Sequence, residues 1–212
     1  MKNLLYKEFR LAIHPLFYLI LLCGALLLIP QWPFFIALMY LFFIAVPNIF
    51  SMGKAQNDVE FSVMLPVRKR DVVKARILSI VILELLQILV AVVFAILNMK
   101  LYRTANFLLD PNIAFFGFAL IMYGVHNVFF FPMFYKTAYK IGIPVIVAVA
   151  AAVLFAFAVE FAVLYIPALG VLDGMGHIGA QLWVLGAGIV LFALLNIVAY
   201  RISVRRFERV DL

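Results

Sequence analysis

Residues 77–98 read ILSIVILELLQILVAVVFAILN, with a single charge, Glu84. A bilayer core about 30 Å thick is crossed by roughly 20 apolar residues in a helix. Only helices and closed barrels satisfy their backbone groups there. Barrel strands would alternate apolar and polar residues, whereas this stretch is apolar all round, so it predicts a transmembrane helix. Working outward, five more runs of the same kind lie near residues 14–30, 33–50, 113–134, 141–166 and 178–200. Pro47, Pro132 and Pro144 fall inside or near their ends, where a missing N–H kinks or stops a helix. The whole chain agrees. Of 212 residues, 68% are hydrophobic and 13% charged, and the mean hydropathy is +1.17, against about half and a quarter in soluble domains. The sequence therefore predicts an all-α integral membrane protein of six transmembrane helices. It forms one domain over 1–212, and the short loops leave no room for a second.

The net charge of +7 raises nucleic acid or anionic lipid as partners, and its distribution decides between them. With the N-terminus inside, Lys2, Lys7 and Arg10, the six bases from Lys54 to Arg76, Lys136 and Lys140, and the four from Arg201 to Arg209 all fall in cytoplasmic segments. Only Lys100 and Arg103 fall outside, so 15 of the 17 bases are internal. That asymmetry follows the positive-inside rule and requires an even number of spans. The charge thus reports topology against membrane lipid, with no nucleic-acid partner, and both termini are expected in the cytoplasm. Residues 1–12, with Leu4, Leu5, Phe9 and Leu11 among Lys7, Glu8 and Arg10, suit either an interfacial helix or a plain basic flank. The basic start also resembles a secretory signal, but no small-residue cleavage site follows, so the first span is expected to be retained. Residues 201–212 form a cytoplasmic tail.

One cytoplasmic segment is long. Residues 51–76 read SMGKAQNDVEFSVMLPVRKRDVVKAR. Asp58, Glu60, Phe61, Met64 and Leu65 have the spacing of a short amphipathic helix stopped by Pro66, after which Asp71 can cap the third span. Apolar Phe61, Met64 and Leu65 on such a loop call for a partner; the plainer alternative is a basic, snorkelling loop.

The run Leu65-Pro66-Val67-Arg68-Lys69-Arg70-Asp71-Val72-Val73-Lys74 resembles the Leu-Pro, basic, aliphatic, Lys pattern of type-2 ATP-binding-cassette (ABC) exporter permeases. Leu5-Tyr6-Lys7-Glu8-Phe9-Arg10, the six spans and the chain length extend the resemblance over essentially the whole chain. It implies a cytoplasmic coupling helix between spans 2 and 3, with contacts from Asp58, Glu60, Phe61, Met64, Leu65, Pro66, Arg68 and Arg70 within a coupling segment 57–70. It also implies two copies of an ABC ATPase, which binds ATP and Mg, and a second permease copy, most simply as a homodimer in a bacterial cell membrane. The compact form resembles small permeases that export or confer immunity to amphipathic peptides, including the phenol-soluble-modulin exporter and bacitracin-resistance types. An amphipathic peptide is accordingly the expected cargo.

No engine or chemistry is expected on this chain. Gly53-Lys54 lacks the rest of a phosphate loop, and Gly174-Met175-Gly176-His177-Ile178-Gly179 matches a dinucleotide motif without the strand before it or the acid about 20 residues on. Cys23, the single cysteine, excludes intrachain disulfides and cysteine-pair metal sites, and no metal-ligand set is read. Within the spans, Glu84, Gln87 and Asn98 share one helix face, as a substrate path, a dimer seam or a set of interhelical hydrogen bonds. His126, Asn127 and Glu160 are further intramembrane substrate-path candidates, with His126 read first as a satisfied core histidine held neutral by burial. Glu160 is expected to snorkel to the outer interface, and Trp32, Trp183 and Tyr200 to act as interfacial anchors at the span ends. Two rival functions stand beside the exporter. One is an ion-coupled carrier using Glu84, His126 and Glu160; the other is a non-transporting immunity or scaffold protein.

Overall fold

The computed structural model describes residues 2–64, 66–102, 106–174 and 176–210, without the side chains of Val59, Glu60 and Val63. Leu65, Arg103 and Met175 lie outside the described residues. The helices are α1 (Lys2–Ala12), α2 (Leu16–Leu28), α3 (Phe34–Ala55), α4 (Asp58–Met64), α5 (Lys69–Leu101), α6 (Ile113–Phe134), α7 (Gly142–Tyr165) and α8 (Ile178–Phe207). No strand occurs among the described residues. Helices α3, α5, α6, α7 and α8 are long and apolar enough to cross a membrane. The pair α1 and α2 reaches that standard jointly, but it is bent by 86°.

The bend follows from His14-Pro15. Proline disfavours helical backbone at His14, the residue before it, the chain has already turned extended at Ile13 (φ −95°, ψ 107°), and Pro15 opens α2 without needing an N–H partner. From Ile20 to Leu28 the helix winds as a 3₁₀ helix, rising about 2.0 Å per residue instead of about 1.5 Å. Its thirteen residues therefore reach roughly 24 Å, further than their number suggests. Gly24 lets α2 lie against α5, since a Cβ there would stand 3.1 Å from Ala91 Cα.

Pro47 does not end α3, and the helix runs to Ala55, beyond the expected limit near residue 50. A π turn over Leu41–Ala45, closed by Val46 N–H donating to Leu41 O, shifts the register ahead of the missing N–H. Asn48 Nδ2 then donates to Ile44 O at 2.7 Å. Asn57, in the left-handed region (φ 50°) that suits asparagine, reverses the chain into α4. At the start of α5 the expected cap is absent. Arg68 occupies the N-cap position, and Asp71 pairs with its guanidinium at 2.9 Å.

Helix α6 is the hub, packed on α7 and α8. Ala148, Ala152 and Ala156 recur at helical spacing on the buried side of α7. Against α8 the backbones themselves meet. A Cβ on Gly117 would lie 2.7 Å from Val184 O, and one on Gly188 would collide with Gly117. The outward faces of α7 and α8 expose Leu154, Phe157, Ile189, Val190 and Leu194, as lipid contact requires.

Loop contacts sort the molecule into two ends. At one, Lys7 Nζ donates to Ser62 Oγ (2.6 Å), Lys69 Nζ to Val210 O (2.8 Å) and Arg206 Nη1 to Pro132 O (2.8 Å). At the other, Asn106 Nδ2 reaches Trp32 O (3.1 Å) and Asn112 Nδ2 reaches Leu172 O (2.8 Å). Helix α1 and the C-terminal end of α8 thus share the end that carries α4.

Candidate coupling site and the buried polar networks

Helix α4 is seven residues long and could not persist alone, so its neighbours must hold it. They do so through ions. Arg76, on the first turns of α5 and 5% exposed, places Nε 2.5 Å from Glu8 Oε2 and pairs Nη2 closely with Asp58 Oδ2. Lys7 Nζ completes the group, 2.5 Å from Asp58 Oδ1 and 3.5 Å from Glu8 Oε1. Two cations and two carboxylates balance, which is how a buried charge is tolerated. Phe50 of α3 lies under the guanidinium at 5.3 Å. Tyr135, just past α6, is close enough to feel the same charges, and burial holds its phenol above the usual value despite Arg76. One cluster therefore joins α1, α3, α4 and α5.

The other side of α4 is bare, with Phe61 59% and Met64 83% exposed. Of the residues expected to contact an ATPase, Asp58 turns inward to the cluster, while Phe61, Met64, Pro66, Arg68 and Arg70 are exposed. Leu65 and the Glu60 side chain lie outside the described residues. Lys7, Glu8 and Arg76, counted in the sequence only as flanking charges, are the residues that sequence reasoning missed. The signal available was the mixture of acid and base in α1.

A second network lies in the middle of the bundle. Asn127 Nδ2 donates to Glu84 Oε2 (2.9 Å) and Asn196 Oδ1 (3.0 Å), and its Oδ1 sits 3.1 Å from His126 Nδ1. An amide oxygen only accepts, so Nδ1 carries the hydrogen in this arrangement. His126 is stacked between Phe42 (4.8 Å) and Phe130 (5.5 Å). The Tyr123 hydroxyl lies 2.9 Å from Gln87 Oε1 and 3.1 Å from Leu38 O, and Gln87 Nε2 donates to Ala37 O at 3.2 Å. Glu84, Gln87, Tyr123, His126 and Asn127 are all buried. Asn98, on the same stripe, donates to Leu27 O at 2.6 Å. The stripe is thus internal glue across α2, α3, α5, α6 and α8. Tyr123 and Asn196 belong to it unforeseen, though Tyr123 stands four residues before Asn127, one turn along the same face.

Glu160 joins neither network. It does not snorkel as expected: it is 8% exposed, and Oε2 accepts from Leu109 N–H at 2.9 Å beneath the loop after α5. The carrier's three titratable groups are therefore not one hydrogen-bonded chain. Trp183 is 83% exposed, whereas Trp32 and Tyr200 are partly covered. Gly53-Lys54 is helical, and Gly174 and Gly176 stand just ahead of α8, with no strand among the described residues.

No curated protein and no solved structure matches the chain. The family model described as ABC-2 family transporter protein matches residues 3–208, a stretch that takes in α1, the ion cluster, α4 and all five long apolar helices. The chain accordingly belongs to the ABC-2 transporter family, multi-pass membrane subunits of ABC transporters whose ATP is hydrolysed by a partner ATPase.

Proposed function

We propose that the chain is the six-span permease of an ATP-driven exporter, with α2 as its first span and α4 as the helix through which an ATPase subunit drives it. The carrying observation is the two-sidedness of α4. Its inner side is tied to α1 and α5 by Asp58, Arg76, Glu8 and Lys7, while Phe61 and Met64 are bare. A helix held this way transmits a push to α5 as a lever, because paired buried charges resist separation. ATP binding closes two ATPase subunits on each other, the docked α4 helices of two permease copies follow, and access alternates between the two sides of a bacterial cytoplasmic membrane. The concentration of bases at the end carrying α1 and α4 supports a cytoplasmic position for that end under the positive-inside rule. The cargo in this reading is an amphipathic peptide or comparable apolar molecule, as the resemblance to small peptide-exporting permeases implies. No bond is made or broken on this chain.

Co-expression with a stand-alone ABC ATPase from the same genome tests this. The ATPase is expected to co-purify, and Phe61→Asp with Met64→Asp to reduce recovery at least tenfold while the permease itself elutes unchanged. Undiminished recovery with both aspartates in place would refute docking through α4.

A further inference from the structure

Two lysines from different elements meet at one aromatic ring, at the end of the molecule that carries α4. Lys54 stands on the last turn of α3 and Lys140 in the loop between α6 and α7. Their Nζ atoms lie 5.9 and 5.8 Å from the centre of the Tyr139 ring. The loop is tightly closed, with Ala138 in a left-handed backbone (φ 63°) and Lys140 N–H donating to Thr137 Oγ1 at 3.1 Å. Lys54, Tyr139 and Lys140 are exposed, and so is Lys136 in the same loop. Among the described residues no carboxylate pairs with any of these three ammonium groups. Asp58, which shares a small pocket with Lys54, is committed to Lys7 and Arg76. A ring face attracts a cation without neutralising it, so positive charge accumulates here uncompensated. Beyond the lysines the surface turns apolar at once. Ile143 and Ile146, three residues apart and so on one face of α7, are 65% and 69% exposed, and α7 is long and apolar enough to cross the membrane. Lysine and tyrosine at the end of such a helix lie at headgroup depth.

We infer that Lys54, Tyr139 and Lys140 form a binding site for an anionic phospholipid, whose phosphodiester sits between the two ammonium groups and whose acyl chain runs along Ile143 and Ile146. Charge complementarity selects an anion, since the ammonium of a zwitterionic lipid is repelled by the lysines beside it. The adjoining apolar face selects an anion with a hydrocarbon tail. Free phosphate and an acidic protein surface satisfy the lysines but leave Ile143 and Ile146 uncovered at membrane depth. A lipid held this way ties the end of α3, from which α4 follows, to the start of α7. The site does not depend on the exporter proposal and is measured on the permease alone.

The probe is phosphatidylglycerol with a fluorophore on its acyl chain, and identically labelled phosphatidylcholine is its zwitterionic counterpart. Both are titrated into permease purified in dodecyl maltoside. Phosphatidylglycerol is expected to bind about tenfold more tightly. Lys54→Gln with Lys140→Gln should bring that preference below twofold, while Lys54→Arg with Lys140→Arg keeps it. Arg201→Gln with Arg205→Gln removes two exposed bases from the same end and should leave the preference within twofold of the wild type. Inorganic phosphate in large excess is expected not to displace the lipid. Equal affinity of the wild type for the two lipids, or a preference that survives Lys54→Gln with Lys140→Gln, overturns the proposal. An equal loss in the Arg201–Arg205 variant also overturns it and leaves diffuse surface charge, and displacement by inorganic phosphate leaves a bare anion site. If Lys54→Gln with Lys140→Gln stops ATPase co-purification but spares the lipid preference, the face is a protein contact and the proposal is wrong. Absence of the preference with continued ATPase co-purification removes this inference and leaves the exporter proposal standing.

Discussion

Arg76 is the residue on which the terminal end of the molecule turns. Its guanidinium pairs with both Glu8 and Asp58, and it is the more deeply buried of the two cations in the cluster. Removing one partner from a buried ion group costs about 3–5 kcal/mol, because the other charges stay behind uncompensated. Arg76→Met is therefore expected to lower thermal stability by about that amount, and limited proteolysis should cut within residues 57–68 of the variant before it cuts the wild type. Equal cutting would show that α4 is held by other means. At the opposite end, burial holds the Asp110 carboxyl above its usual value, opposed by the hydrogen bond from Asn106 N–H and reinforced by Asp173. The folded state then binds the proton more tightly than the unfolded state, so stability falls as pH rises through the folded value. Asp110→Asn should raise the melting temperature at pH 8, and the gain should vanish below about pH 3.9, where both states are protonated. What the sequence disclosed at this scale was the identity of isolated polar residues in apolar runs, Glu84, Gln87, His126 and Asn127. It could not disclose the partners of Arg76, since Glu8 lies 68 positions away and its acid looks like part of an ordinary amphipathic flank.

The elements were legible wherever hydropathy defines them, and their irregularities were not. Five long apolar helices stand where the runs predicted, because length and polarity alone decide what can cross a bilayer. The 3₁₀ winding of α2, which packs on α5, and the π turn ahead of Pro47 are changes of winding that hydropathy does not register. The approach of α6 and α8 is likewise tertiary: a Cβ on Gly117 or Gly188 would run into the backbone of the facing helix, which hydropathy does not reveal. In lipid, helices associate by close packing of small residues, and overpacking costs about 1–3 kcal/mol even when side chains can move. Here backbone opposes backbone. Gly188→Val is expected to lower the melting temperature in detergent well below that of Gly186→Val, whose position faces open space. Similar losses in the two variants would mean that the seam does not carry the α6–α8 contact.

At the scale of the whole molecule, α1, α4 and the exit of α8 gather at one end, with an apolar groove and the Asp110–Asp173 contacts toward the other. Function as an ABC-2 membrane subunit was legible because the Leu-Pro-basic run and the placement of charge are local features of sequence. The apolar groove walled by α3 and α7 was not, because its two walls come from segments far apart in the sequence. The most direct test of the account is cross-linking in the reconstituted complex, on a Cys23→Ser background that removes the only native thiol. A single cysteine at Met64, 83% exposed on α4, is predicted to cross-link to the ATPase and to stop ATP turnover when linked, while one at Trp183, equally exposed on α8, gives no product. A cross-link from Trp183, or none from Met64 in a complex that still hydrolyses ATP, would contradict it.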